Sequence, residues 1–432
     1  MFLREACYIP ITVARQYGSP SGLRRRQLRE LNRMIEYAGT RVPYYRDDPR
    51  YSRAPLTALA DLSGLPVLDK EVLRERPLEN LLADGVDPAR CRSFQTSGST
   101  GRRVRILHDE AAHDYHGAAL VRRFLATGRY LPTDRLTHIR PFAPPGRIFE
   151  RVNLFRRHVI LSHRPMAEIK AELLANRPKV LIGYPVHLRA LLRALTAAEL
   201  TRLRRTLRIV MTESELLLPE HRAMFAEEFG APVFDEYSAF EVLNVAYDCT
   251  HGRAHLSEDR VYCEIVDDRG RALPAGEEGH VVVTSFLERA MPLIRYNLGD
   301  IGLIEPGRCG CGRRFRVLRL TKARSNDFVT LPTGERLYPD AFLHLAATHP
   351  GISECFVHQE ATGLVRLHVV PGADVPGTDV PGEAGLFESV RARLFELARG
   401  DFPLEVVTAE SVKITPGGKG KFVTSDYGDA PG

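Results

Sequence analysis

Apolar positions along the 432-residue chain fall into three successive regimes. The first hundred residues read as helical and then loop-like: Leu28, Leu31, Ile35 and Ala38 recur at helical spacing and predict a helix ending near Gly39. From about residue 165 the pattern alternates. Pro165 to Asn176 predicts a helix, with Pro165 in its first turn and Ile169, Leu173 and Leu174 on its apolar face. Val180-Leu181-Ile182 is a short buried strand stopped by Gly183, a helix runs from His187 to about Leu200, and Leu207, Ile209 and Val210 make another buried strand. Short wholly apolar strands alternating with helices predict βαβ units on a parallel sheet. Beyond residue 255, Val261 to Val266 and His280 to Thr284 flank the turn signals Asp268-Arg269-Gly270 and Gly276-Glu277-Glu278-Gly279, and predict antiparallel strands. In the last hundred residues Val365, Leu367 and Val369 alternate as a strand, a Pro/Gly-rich loop runs from Pro371 to Gly382, and Leu386, Val390, Leu394 and Leu397 stripe a helix closed by Gly400. The expected fold is α/β: a large N-terminal domain over 1–325, with parallel sheets and a small β region, joined near 324–328 to a small α+β C-terminal domain over 326–432.

Composition narrows the class without naming a function. Apolar residues at 44% and charged residues at 26% exclude fibrous, largely disordered and disulfide-stapled chains. No run approaches the roughly 18 apolar residues of a membrane span. The N-terminus carries Glu5 early and lacks the shape of a signal peptide, so a cytoplasmic protein without a membrane partner is expected. The net charge of +6 is modest, and Arg24-Arg25-Arg26 shares its stretch with Glu30 and Glu36. A solvated face is expected there, and no nucleic-acid partner. Seven cysteines, an odd number, argue against a disulfide framework and direct attention to clusters.

The strongest local signal is Thr96-Ser97-Gly98-Ser99-Thr100-Gly101, preceded by Phe94-Gln95. Its glycines permit a tight turn and close approach, and its hydroxyls and N–H groups can wrap a polyphosphate. It is not a Walker loop, because no Gly-Lys-Ser/Thr follows. Further along stand Tyr237-Ser238-Ala239-Phe240-Glu241, Arg295-Tyr296-Asn297-Leu298-Gly299-Asp300, Ala323-Arg324-Ser325-Asn326-Asp327 and Pro416-Gly417-Gly418-Lys419-Gly420-Lys421. A second constellation is Cys249, His251 and His255 with Cys309-Gly310-Cys311-Gly312, thiol and imidazole groups of the kind that hold tetrahedral zinc.

In that order and spacing the segments resemble the adenylate-forming superfamily, and within it the phenylacetate–CoA ligase-like branch. The resemblance spans nearly the whole chain and extends to Val42-Pro43-Tyr44-Tyr45-Arg46 and Leu65-Pro66-Val67-Leu68-Asp69-Lys70. It implies an enzyme that joins a carboxylic acid, here an aryl or arylacetic acid, to the α-phosphorus of ATP with release of pyrophosphate, and then passes the acyl group to coenzyme A. Thr96 to Gly101 match the phosphate-holding loop, with Thr100 counted among the catalytic residues. Glu241 matches the acidic residue that helps hold Mg²⁺, Tyr237 the aromatic against adenine, Asp300 the ribose-binding carboxylate and Arg324 the basic residue near ribose and phosphate. Lys419 matches the mobile lysine bridging acid and α-phosphate, with Lys421 as its neighbour and alternative. Phe142, Tyr184 and Pro185 fall where relatives line the acid pocket. Asn326 and Asp327 fall at the hinge about which the C-terminal domain swings. The branch often carries a Cys/His…Cys-x-Cys arrangement, and Cys249, His255, Cys309 and Cys311 are the chosen structural zinc ligands, His251 standing as substitute for His255. Departures from the pattern occur at Arg102-Arg103-Val104, Ser238 and Ala323. They keep open a nucleotide-binding homologue without turnover, beside an enzyme whose acceptor is an amine, a carrier-protein thiol or another nucleophile. Monomer and homodimer are both compatible with the sequence.

Overall fold

The computed structural model describes residues 2–52, 54–95, 104–143, 154–322, 328–349, 351–372, 383–398, 400–410 and 422–427. A helix spans Phe2–Arg15, and a longer one spans Pro20–Arg41. Pro20 occupies the first position of the second helix, and the Ser19 hydroxyl accepts a hydrogen bond from the Gly22 N–H at 3.1 Å. This helix runs past Gly39, where the sequence predicts its end. Gly39 is there for a close approach: a Cβ would stand 2.9 Å from the Tyr51 carbonyl oxygen. The stop comes at Val42, extended because Pro43 follows it.

Strands β1 (Arg92–Gln95) and β2 (Arg105–His108) form an antiparallel hairpin. An 11-stranded sheet is built from β3 (Leu136–Arg140), β4 (Arg157–Leu161), β5 (Val180–Gly183), β6 (Ile209–Glu213), β7 (Val233–Tyr237), β8 (Ala246–Asp248), β9 (Ala254–Leu256), β10 (Val261–Val266), β11 (Gly279–Ser285), β12 (Tyr296–Ile304) and β13 (Val317–Lys322). Its order is β10-β11-β12-β13-β9-β8-β7-β6-β5-β3-β4. The β4-β3-β5-β6-β7 half is parallel and the remainder antiparallel, as the two kinds of apolar pattern predict. The expected helix from His187 to about Leu200 is two helices, Pro185–Ala194 and Ala197–Arg204. The break falls at Thr196, whose hydroxyl and backbone N–H exchange hydrogen bonds with Glu199 in a capping box. Pro165 precedes the helix Met166–Asn176 as its cap, outside its first turn.

Alternation along the parallel strands gives the sheet two faces. One carries Ile139, Leu181, Val210 and Val233, packed under Phe225, Phe229, Leu188 and Leu173 of the helices on that side. The other carries Leu136, Ile182, Met211 and Phe234 against Phe124 of the helix Glu110–Ala126. A third, larger core joins the antiparallel half to the Pro20–Arg41 helix through Leu31, Met34, Val261, Val283 and Ile294.

Beyond β14 (Val329–Thr330) and β15 (Arg336–Leu337), strands β16 (Ile352–Gln359), β17 (Val365–Pro371), β18 (Leu404–Thr408) and β19 (Val423–Ser425) form a separate mixed sheet ordered β18-β17-β16-β19. The helices Pro339–Thr348 and Glu383–Ala398 close its core around Phe342, Val390 and Leu394. Among the described residues no apolar core includes residues from both units. Their contact is ionic: Glu354 Oε1 of β16 lies 3.3 Å from both Arg189 and Arg193, and His344 lies 3.3 Å from Glu220. Arg189 also bonds the His221 ring at 3.0 Å. Residues 323–327, where the domain boundary is expected, lie outside the described residues. Among the described residues no helix is long and apolar enough to cross a membrane.

One buried acid pair has a measurable consequence. The Asp235 N–H donates to Asp248 Oδ2 at 2.8 Å, and Arg222 pairs with Asp248 at 2.7 Å. Burial, with the Asp248 charge beside it, pushes the Asp235 carboxyl up to about 7. Its pKa in the fold then exceeds the unfolded value of about 3.9, so the stabilisation is complete below about pH 4 and is lost as pH rises through about 7. Asp235→Asn is expected to raise the melting temperature by a few degrees at pH 8 and to leave it nearly unchanged at pH 4, as read by thermal melts at the two pH values.

Candidate functional site

Two segments meet at the end of β7. The chain leaves the sheet through Tyr237 and turns through Ser238 to Glu241, facing the start of β12. The Tyr237 hydroxyl donates to Asp300 Oδ2 at 2.6 Å, and the Tyr296 hydroxyl donates to Glu241 Oε1 at 2.9 Å. Each carboxylate is thus held by a tyrosine from the opposite segment. Burial, with the adjacent carboxylate adding, raises both phenols well above their ordinary value, so each stays a proton donor. Gly299, at φ +79°, supplies the left-handed residue just before Asp300. Backbone bonds from Leu68 to Arg295 and from Asn297 to Leu68 draw a third segment in, and Lys70 Nζ comes to 3.5 Å from Glu241 Oε1. Lys70 and Tyr296 both lie in segments visible in the sequence, yet neither shows there that it faces Glu241.

The β1–β2 hairpin abuts the same turn. Phe94 stacks on Phe240 with ring centres 5.8 Å apart, and the His108 Nε2–H donates to the Phe240 carbonyl at 2.8 Å. Behind it Glu288 accepts from His116 at 2.9 Å and from Arg260 at 3.3 Å, all buried. The hairpin's last described pair is Gln95 with Arg105. Thr96, Ser97, Gly98, Ser99, Thr100 and Gly101 lie outside the described residues, as do Arg324, Asn326, Asp327, Lys419 and Lys421.

A layer of ionisable side chains lies beside this turn. On the sheet face under the helix Glu110–Ala126, apolar residues give way toward the C-terminal strand ends to His138 and Arg140 on β3, Glu213 on β6 and Glu236 on β7. Arg123 of the covering helix pairs with Glu236 and lies 3.6 Å from Glu213, whose other oxygen stands 3.0 Å from His138 Nε2. Burial alone would raise the Glu213 carboxyl; His138, Arg140 and Arg123 outweigh it and hold the group well below the usual carboxylate range. These residues border a cavity of about 90 Å³ with an apolar floor that includes Phe124, Leu136 and Ile182. Period-two alternation in Leu136-Thr137-His138-Ile139-Arg140 is the signal for this layer, and the strand expected through Leu207, Ile209 and Val210 continues to Glu213. Of the expected acid-pocket residues, Phe142 is 41% exposed and does not line the cavity, though its ring lies 4.3 Å from the Arg140 guanidinium, which does. Tyr184 is buried against His187, and Pro185 opens the next helix; neither lines the cavity.

The cysteine cluster forms from the turn after β8, strand β9 and the connection between β12 and β13. Donor atoms of Cys249, His255, Cys309 and Cys311 all lie within 4.8 Å of one another. Cys249 and Cys309 sulfurs are 3.7 Å apart, close to the roughly 3.8 Å edge of a tetrahedron with Zn–S bonds of about 2.3 Å. His255 Nδ1–H donates to the Phe315 carbonyl at 2.8 Å, which leaves Nε2, 3.3 Å from Cys311 Sγ, free to ligate. His251 lies 3.9 Å from Cys309 and outside the group of four. The donor set and its spacing fit a zinc ion.

No family model matches the chain. A phenylacetate–coenzyme A ligase of Thermus thermophilus is 26% identical over 329 residues, 73% of each protein. One from Aromatoleum evansii is 24% identical over 387 residues, covering 85% of this chain and 86% of the relative. Among solved structures, 2-hydroxyisobutyryl-CoA ligase in its postadenylation state superposes with a TM-score of 0.80 at 20% identity, over 95% of this chain and 91% of that one. The same ligase in its thioesterification state covers 96% and 92% but superposes at 0.62. The mixed sheet, the small C-terminal α/β unit and the collinear sequence match agree: the chain is a distant homologue of the phenylacetate–CoA ligases over most of its length, and its fold is that of the acyl-CoA ligases.

Proposed function

We propose that this chain is an AMP-forming acid–thiol ligase. It activates a carboxylic acid with ATP and passes the acyl group to coenzyme A. The observation that carries this reading is the meeting of Tyr237, Glu241 and Asp300 at one end of the parallel strands, where open α/β sheets take their ligands. A carboxylate oxygen of the acid attacks the α-phosphorus; the bond to the β-phosphate oxygen breaks and pyrophosphate leaves. The thiol sulfur of coenzyme A then attacks the acyl carbon, losing its proton, and AMP departs.

Asp300 is assigned the ribose hydroxyls and Tyr237 the face of adenine, a reading supported by the Tyr237 hydroxyl bond that fixes the Asp300 carboxylate. Glu241 supplies a buried carboxylate, held by Tyr296 and Lys70, for a magnesium ion that would neutralise phosphate charge when bound. The loop Thr96 to Gly101 springs from a hairpin braced on Phe240 and is assigned the phosphates, with Arg324 beside them. Lys419 is assigned the bridge between acid and α-phosphate, brought in by rotation of residues 326–432 about Asn326 and Asp327. The closer superposition on a postadenylation state supports the view that the described arrangement serves the first half-reaction. Acid-dependent exchange of labelled pyrophosphate into ATP tests the reading, followed by mass spectrometry of products with and without coenzyme A. Absence of exchange with every acid of a broad panel would reduce the chain to a nucleotide-binding homologue. Exchange without thioester would move the acceptor to an amine or a carrier-protein thiol.

Cys249, His255, Cys309 and Cys311 are assigned a zinc ion with a closed shell, which is structural and takes no part in the reaction. Cys309→Ser is expected to lose most of the bound zinc and to lower the melting temperature by several degrees, while ATP affinity changes less than about threefold. Unchanged zinc content by elemental analysis would remove Cys309 from the ligand set.

A further inference from the structure

The cavity beneath the helix Glu110–Ala126 differs from a slot for a phenyl ring. Five of the side chains around it, Arg123, His138, Arg140, Arg157 and Glu213, are ionisable. Most of that charge has visible work. Arg123 is shared by Glu236 and Glu213, and the second Glu213 oxygen takes the His138 N–H. Arg140 acts on Glu213 only at longer range, and what sets it apart is the lack of a close ion pair. Among the described residues no carboxylate lies within ion-pair distance of its guanidinium, and its buried Nε–H has no acceptor. The Arg140 guanidinium lies over the Phe142 ring, 4.3 Å from its centre, a cation–π contact that takes up none of its N–H donors. An apolar acyl group seated here would desolvate those donors without giving them a partner, which a hydrogen-bonding site penalises strongly.

We propose that the acid taken by this chain is small and carries, besides the carboxylate that is activated, a second hydrogen-bond-accepting group (hydroxyl, carbonyl or second carboxylate) that Arg140 holds. This rests on the adenylation reading above and specifies its substrate. Arg140 is a specificity determinant; it takes no part in the attack on phosphorus, and the carboxylate to be activated stays at the strand ends beside Tyr237. The pairs of Arg123 and His138 with Glu213 and Glu236 hold the cavity's shape, and selection is assigned to Arg140.

The experiment is pyrophosphate exchange with lactate, 3-hydroxybutyrate, succinate and glutarate against butyrate, pentanoate and phenylacetate, using the full chain and its Arg140→Met and Arg140→Lys variants. The best polar acid is expected to exceed the best apolar acid in kcat/KM by about tenfold or more. Arg140→Met should cut the polar acid by about 10- to 100-fold while the apolar acids change less than about threefold, and Arg140→Lys should restore part of the difference. A best substrate that is apolar, with a ratio that Arg140→Met leaves unchanged, would overturn the inference and leave the adenylation reading standing. No exchange with any acid would overturn both. If Arg140→Met fails to fold, the wild-type ranking and the Arg140→Lys ratio decide alone.

Discussion

Glu241→Gln is expected to slow acid-dependent pyrophosphate exchange by about a hundred- to a thousandfold, the scale on which removing one electrostatic stabiliser acts in a preorganised site. Glutamine keeps an oxygen to accept the Tyr296 hydroxyl, so the turn after β7 stays in place; what disappears is the charge that faces Lys70 and that would face a divalent cation. The melting temperature should therefore move by no more than about 2 °C. Raising magnesium should recover part of the rate, because a weakened site is filled by mass action. A variant whose rate stays within about threefold of the parent would take Glu241 out of the cation site and leave it as a partner for Lys70 alone.

The second large effect concerns Lys419. Changing it to alanine is expected to slow adenylation by at least about a hundredfold, since a compact ammonium between two anionic reactants offsets their repulsion where it is greatest. Thioester formation from a supplied acyl adenylate should change less than about threefold, because the swing proposed to admit the second acceptor would carry this lysine away. Single-turnover measurements of the two steps separate these outcomes. Equal loss in both steps would sink the swinging-domain account, and loss in Lys421→Ala instead would transfer the role to that residue.

What the sequence disclosed about the fold depended on how local the cause was. The parallel half was legible because Val180 to Ile182 and Ile209 to Val210 are short, wholly apolar and flanked by helices, a pattern with one physical solution. The antiparallel half was legible from its turns. The division of the 187–200 stretch was not, since it hangs on one reciprocal cap between Thr196 and Glu199 inside an otherwise continuous helical period. Near the candidate site, Tyr237, Glu241 and Asp300 could be picked from motifs, and Cys249, His255, Cys309 and Cys311 from residue type. Their partners could not: that Tyr296 serves Glu241 while Tyr237 serves Asp300 follows from the register of β12 against the turn after β7, which no spacing along the chain encodes. The same holds for Arg123, which reaches Glu236 across more than a hundred residues only because the helix above the sheet places it there.

The seam between the two units is built unequally. Glu354 is gripped by Arg189, almost wholly withdrawn from solvent, and by Arg193, 40% open to it. Dissolved ions screen the outer grip and barely reach the inner one. Among the described residues no apolar core is shared, so parting these units there exposes little oily surface to water, and the toll is chiefly that of rehydrating one carboxylate and its cations. Such a seam is expected to open and reseal without melting either side, with electrolyte strength acting as a dial on how long it stays shut.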